Sequence, residues 1–222
     1  MKRIYDHHVS LFLVSECPNA CHFCLASAEP GRKPIMSIDD VGLILSSYDG
    51  RWKEVSVGGG EPSLHPKFFD VVKLCRDMGW DVNLHSNDTA RAWQAAQLFR
   101  DEGNERSITM TFSYNDVVLE KMPGLEDRVC EVGRMVRELG DPRISVNVNV
   151  FTNDHNNRLI DCGFCGDQVV KVPVYSLGKS KGKPGTVQIN TTGFTGHIYT
   201  TDLRKFDIAQ YAEACDHQAM IH

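Results

Sequence analysis

Cys17-Pro-Asn-Ala-Cys21-His-Phe-Cys24 places three thiols within eight residues, directly after the apolar run Leu11 to Val14 that ends at Ser15. A short apolar run bounded by a loop reads as a strand, so the cysteines stand in the loop at its carboxyl end. In a chain without a secretory signal, a tight group of cysteines holds a metal more often than it forms disulfides. Three thiolates do not close a structural zinc site, which is saturated by four ligands. A zinc half-finger here would need completion by Cys162 and Cys165 or by a histidine. A four-iron cluster, by contrast, can take three cysteines and leave its fourth iron open to a ligand from outside the protein.

Outward from this loop the chain alternates strand-like and helix-like segments with short connections. Ser10 to Ser15 is the first strand. Ser37 reads as an N-cap with Asp39 and Asp40 in the first helical turn, and Val41, Ile44 and Leu45 recur at helical spacing up to Tyr48. Glu54 to Val57 is the second strand, and Pro66 opens a helix that Gly79 stops. Asp81 to Leu84 reads as a strand, Thr89 to Glu102 as a helix, Ile108 to Phe112 as a strand and Leu125 to Leu139 as a helix ended by Gly140. Arg143 to Phe151 alternates Ile144, Val146, Val148 and Val150 against Ser145, Asn147 and Asn149, a strand with two distinct faces. Asn153 to Ile160 suits a short helix and Val169 to Tyr175 a sixth strand. Strands separated by helices imply right-handed crossovers and a parallel sheet, either barrel-like or doubly wound, and periodicity does not choose between them. In both, active-site groups belong at the carboxyl ends of the strands.

The second strand ends in Gly58-Gly59-Gly60-Glu61-Pro62, about 34 residues after Cys24. Consecutive glycines let a backbone approach a ligand closely and expose its carbonyls and amides. With Cys-x3-Cys-x2-Cys, Phe23 just before the third cysteine and this glycine loop one helix later, the chain resembles the radical SAM superfamily over roughly residues 10 to 178. That resemblance implies an α/β fold, a partial (β/α)6 TIM-type barrel over residues 1–178, with residues 179–222 as a C-terminal hairpin and helix capping it. It also implies that Cys17, Cys21 and Cys24 hold a 4Fe-4S cluster whose open iron is chelated by S-adenosylmethionine. Phe23 would lie against the adenine, and Gly58, Gly59 and Gly60 would meet the methionine amino group. Glu61 would either meet that ammonium or brace the loop. Further along, Ser86 or Asn87 supplies a small polar contact, and Ser113 serves the cofactor's carboxylate or ribose. Asn147 or Asn149 binds ribose hydroxyls if their face is the interior, and Leu177 offers a backbone contact to adenine. The implied reaction is one-electron cleavage of the sulfonium, with the electron from a donor such as flavodoxin or ferredoxin. The resulting 5′-deoxyadenosyl radical takes a hydrogen atom from the substrate.

The remaining features bound the partners. Cys75 and Cys130 lie on apolar helix faces and read as core thiols. Cys162, Cys165 and Cys215 would either hold a second cluster or zinc, or stay unliganded. The chain stops about 57 residues after Cys165, without the long cysteine-rich extension of peptide-modifying relatives. A small-molecule or nucleotide substrate is therefore expected, with peptide or protein modification, glycyl-radical activation and a non-catalytic zinc or iron-sulfur module as alternatives. Lys179, Lys181 and Lys183 either grip an anionic group of the substrate or form a solvated loop. Thr186 to Asn190 and Gly196 to Thr200 suggest the hairpin, and Asp207 to Ala214 the helix. The 222 residues are 41% hydrophobic and carry a net charge of −5, which gives no electrostatic case for general nucleic-acid binding. No apolar run reaches the ~18 residues of a membrane span, so a cytoplasmic location is expected.

Overall fold

The structure, a computed structural model, describes residues 8–33, 35–48, 53–100, 105–150, 164, 168–171, 197–199 and 205–207. Strands are β1 (His8–Val14), β2 (Glu54–Gly59), β3 (Asp81–His85), β4 (Ile108–Tyr114), β5 (Ile144–Val150), β6 (Val169–Lys171), β7 (His197–Tyr199) and β8 (Lys205–Asp207). Helices are α1 (Ile38–Ser46), α2 (Phe68–Asp77), α3 (Thr89–Gln97), α4 (Asp116–Lys121) and α5 (Leu125–Leu139). The strands form one sheet in the order β6-β5-β4-β3-β2-β1-β7-β8. β1 to β6 run parallel, β7 is parallel to β1, and β8 is antiparallel to β7. Among the described residues the end strands do not pair with each other, so the sheet they form is open, as in the expected partial barrel.

Local chemistry sets the element starts. Ser37 Oγ accepts from Asp40 N at 3.1 Å and opens α1, Asp88 does the same for α3 through Arg91 N at 3.1 Å, and Asn115 for α4 through Val118 N at 3.0 Å. α4 is an addition to the helices expected from the sequence, being only six residues long. The helix expected from Pro66 begins at Phe68, preceded by a 3-10 turn at Pro62–Leu64. β2 and β4 each run two residues beyond the predicted ends, to Gly59 and Tyr114. Gly196 to Thr200 overlaps β7, which pairs with β8 and extends the sheet beside β1. Asp207, expected to start a helix, is the last residue of β8. The helix at 153–160, the first hairpin arm at 186–190 and the boundary at 178 lie outside the described residues.

The two faces of the sheet differ sharply. Val9, Leu11, Leu13, Val55, Val57, Leu84, Met110, Phe112, Val146 and Val148 point to the helices and are fully or almost fully buried. This is the apolar core that favours the fold. Between them Ser10, Ser56, Asn83, Thr109, Ser145 and Asn147 are short, polar and partly exposed, whereas Phe12 and His85 are large rings. Cys75 is a buried core thiol as expected, and burial pushes its pKa up to about 12. Cys130 corrects the matching expectation: it is only half-buried and is disulfide-bonded.

Candidate active site at the strand ends

A cavity of about 370 Å³ opens at the carboxyl ends of the strands, lined by Cys17, Cys21, Phe23 and Cys24 above and reaching Ser10 and Ser56 below. Its walls include Phe12 on β1, Gly58 on β2, His85 on β3, Ser113 on β4 and Asn149 on β5. Five flat strands would span about 19 Å, so one cavity touching all five requires a concave sheet.

The cysteine loop is held on the sheet by backbone pairing and by two residues in the left-handed region. Cys17 N donates to Glu29 O at 3.2 Å, Glu29 N to Ser15 O at 3.1 Å and Cys24 N to Cys21 O at 3.1 Å. Ala20 and Ser27 have φ of 46° and 50°, bracketing Cys21 to Cys24. Non-glycine residues there are strained by about 1–2 kcal/mol each, so surrounding contacts must enforce the turn. Burial raises the pKa of Cys17, and that of Cys21 to about 11, with the neighbouring thiols adding to both shifts. Ala28 N donates to Cys24 Sγ at 3.4 Å.

The glycine loop owes its composition chiefly to this cysteine loop. Gly59 has φ of 111°, and a Cβ there would stand 2.8 Å from Val14 O. A Cβ on Gly60 would stand 2.0 Å from Glu16 O. Gly60 N donates to Val14 O at 2.7 Å and Glu61 N to Glu16 O at 2.8 Å. A bulge in the β1–β2 register between Phe12 and Val14 sits at the same place. The expectation that all three glycines serve a ligand is therefore refined: Gly59 and Gly60 serve close backbone packing beside Cys17.

Glu61 lines the cavity and makes the bonds that the bracing alternative requires. Its Oε1 accepts from Ser63 N at 3.1 Å and Ser86 Oγ at 2.6 Å, and its Oε2 from Asn87 N at 2.9 Å. Asn87 Oδ1 accepts in turn from Ser113 N at 2.8 Å, so one chain of bonds ties the ends of β2, β3 and β4. Burial pushes the Glu61 carboxyl up, and the donated bonds pull against that shift. Lys121, at the end of α4, donates to Asn19 O at 2.7 Å, and its charge favours the Cys21 thiolate.

Of the residues predicted for the site, Cys17, Cys21, Phe23, Cys24, Gly58, Gly59, Gly60, Glu61, Ser86, Ser113 and Asn149 all line the cavity. Asn147 shares the inner face with Asn149 but does not line the cavity. Leu177, Cys162, Cys165, Cys215 and the three lysines at 179, 181 and 183 lie outside the described residues. The sequence reading missed Ser10, Phe12, Ser56, His85 and Lys121. Strand alternation carried the signal for the first four; nothing local marks Lys121.

The donor set suits a multi-iron cluster. Three free thiols line one cavity, yet among the described residues no three His, Cys, Asp or Glu side chains converge on a point for a single metal ion. Partly buried thiols with a backbone N–H aimed at one sulfur match cluster ligation, in which hydrogen bonds to sulfur and burial tune the iron.

A family model described as the radical SAM superfamily matches residues 12–166. GTP 3′,8-cyclase of Shewanella denitrificans is 26% identical over 151 residues, covering 64% of this chain and 44% of that protein. This chain thus spans less than half the length of that curated relative. Among solved structures, Streptococcus suis SuiB bound to precursor peptide SuiA superposes with a TM-score of 0.55 at 16% identity, over 71% of this chain and 36% of SuiB. SuiB bound to S-adenosylmethionine gives 0.55 at 15% identity, over 83% and 44%. At such identities the likeness is one of fold.

Proposed function

The chain belongs to the radical SAM superfamily, and from that premise we propose an enzyme that reductively cleaves S-adenosylmethionine and takes hydrogen from a small-molecule or nucleotide-type substrate. One observation supports this above others: three free thiols, the glycine loop and the Glu61 rim surround a single cavity at the strand ends. Bound at a 4Fe-4S cluster, S-adenosylmethionine would supply a one-electron route to a hydrogen-abstracting radical.

The chain's own residues do the rest. Cys17, Cys21 and Cys24 would hold the cluster and leave one iron open. Gly58 and the adjoining strand ends would present backbone groups to the methionine portion. Phe23 would cover the adenine, and Ser113 and Asn149 would bind the carboxylate or ribose. Glu61 keeps the ends of β2 to β4 in fixed positions through Ser86 and Asn87, so the two ligands meet in one geometry. The concave sheet limits access of water to the reacting atoms. A flavodoxin- or ferredoxin-type donor in the cytoplasm would provide the electron. No helix among the described residues is long and apolar enough to cross a membrane.

The test is anaerobic reconstitution with iron and sulfide, followed by S-adenosylmethionine and dithionite. About four irons on these three cysteines and release of 5′-deoxyadenosine are expected, and Cys21→Ala should lose both. Zinc in place of iron, or intact 5′-deoxyadenosine release by Cys21→Ala, refutes the proposal.

A further inference from the structure

Below the glycine loop, the inner face of the sheet carries a continuous belt of uncharged polar side chains. Ser10 pairs with Ser56, Ser56 with Asn83, Asn83 with Thr109 and Thr109 with Ser145, one residue from each of β1 to β5 at a single level. All five are partly exposed. Ordinary barrels fill this volume with Val, Ile and Leu. One level up, Thr111 pairs with Asn147, and Thr111 Oγ1 donates to Asn83 Oδ1 at 2.8 Å. Thr109 and Ser145 share a hydrogen bond of 2.7 Å, while Ser10, Ser56 and Asn147 make no side-chain hydrogen bond among the described residues.

Gly58 adds a second, independent observation. Unlike Gly59 and Gly60, it is not demanded by the protein's own packing: a Cβ there meets only His85 Cβ, at an ordinary 3.5 Å. Its missing side chain instead leaves a notch in the cavity wall between Phe12 and His85 on the flanking strands. The cavity continues from that notch down to Ser10 and Ser56, two residues or about 7 Å deeper. That depth suits one ring system.

The belt itself carries no charge. Of the residues of β1 to β5 that point inward, His85 above the belt and Glu54 and Asp81 at the level below it are ionisable. A phosphate or carboxylate drawn to the belt would lose water and meet the carboxylates of Glu54 and Asp81 one level below, a cost of several kcal/mol. Hydroxyls and amides meet neutral donors and acceptors without that penalty.

We infer that this inner face seats an uncharged, nucleoside-like part of the substrate, a flat heterocycle in the space below Gly58 with its hydroxyl or base edges on Ser10 and Ser56, and any phosphate left outside the sheet. The inference rests on the enzyme reading above and narrows its substrate class. It predicts that the deep belt, remote from the cysteine loop, sets substrate affinity without setting cofactor affinity.

The test uses the reconstituted full-length chain with S-adenosylmethionine, by anaerobic equilibrium dialysis. Probes are adenosine, guanosine, cytidine and uridine, their 5′-triphosphates and a capped trialanine. At least one nucleoside should bind, with its triphosphate within about threefold, because phosphates gain nothing from a neutral belt. Ser56→Val, which fills the floor, and Ser10→Ala, which removes the other belt hydroxyl lining the cavity, should each weaken that nucleoside at least fivefold. Iron content and S-adenosylmethionine affinity should not change. Failure of all four nucleosides, binding of the capped peptide instead, a triphosphate more than tenfold tighter than its nucleoside, or nucleoside affinity unmoved by both variants overturns the inference. Release of 5′-deoxyadenosine is scored separately. If it forms while no nucleoside binds, only the substrate assignment falls; if it does not form while belt-dependent binding persists, only the reaction falls.

Discussion

Replacing Gly60 with alanine should release the cysteine loop from the sheet. The added methyl would lie 2.0 Å from Glu16 O and 2.7 Å from Glu16 C, whereas real Cβ atoms keep at least 3.0 Å, so the Glu16 segment must withdraw by about 1 Å. That retreat stretches Glu61 N to Glu16 O, now 2.8 Å, and Gly60 N to Val14 O, now 2.7 Å, beyond hydrogen-bond range. Two backbone bonds at about 1 kcal/mol each, with about 1–3 kcal/mol for the forced overpacking, give a loss of about 3–5 kcal/mol. Against a total stability of about 5–15 kcal/mol, urea unfolding of the metal-free protein would show this clearly. Because Cys17 follows Glu16 directly, iron per chain after anaerobic reconstitution should fall in parallel. Gly42→Ala in α1 is the control, since its methyl meets only Leu74 Cδ2 at 3.8 Å and should stabilise by up to about 1 kcal/mol. A Gly60→Ala protein that unfolds at the parental urea concentration and loads its full iron would refute the packing argument.

Lys121→Met should remove the bond to Asn19 O and the positive charge beside Cys21. The reduced cluster should then be harder to form, read as a more negative midpoint potential in an EPR-monitored titration, and an unchanged potential would count against an electrostatic role. Glu61→Gln puts an amide N–H against a donor, since Ser63 N, Ser86 Oγ and Asn87 N all donate to the carboxylate. A destabilisation of about 1–3 kcal/mol by urea unfolding is expected, and none at all would mean that the three bonds are not jointly made. Gly133→Ala in α5 brings a methyl to 2.7 Å from Phe164 Cζ, so the usual helix gain of about 1 kcal/mol should turn into a net loss. Phe164→Ala should restore the gain, and additivity of the two changes in a double-mutant cycle would show that they do not touch.

The sequence exposed most of what depends on local pattern. Ser37 capping α1, Gly140 closing α5 with φ of 63° and the alternation of Ile144 to Val150 each follow from a few neighbouring residues, and each is found where expected. The cysteines and the glycine loop were visible because unusual residue types stand at fixed spacing. What stayed hidden are relations between distant segments. Gly60 is dictated by the carbonyl of Glu16, and Lys121 reaches Asn19 across 102 residues. The inner belt was half visible: Asn147 and Asn149 were known to share a face, but only the registers of β1 to β5 reveal that Ser10, Ser56, Asn83, Thr109 and Ser145 continue it.

The placement of β7 beside β1 bears on how the protein is made. β1 is synthesised long before its outer neighbour, which is supplied by His197–Tyr199. Until then β1 is a bare edge carrying Val9, Leu11 and Leu13, the kind of unpaired strand that recruits other chains. Truncation just before residue 197 should therefore give a product that aggregates in cells, even though every cysteine of the first loop and the whole glycine motif have already been translated.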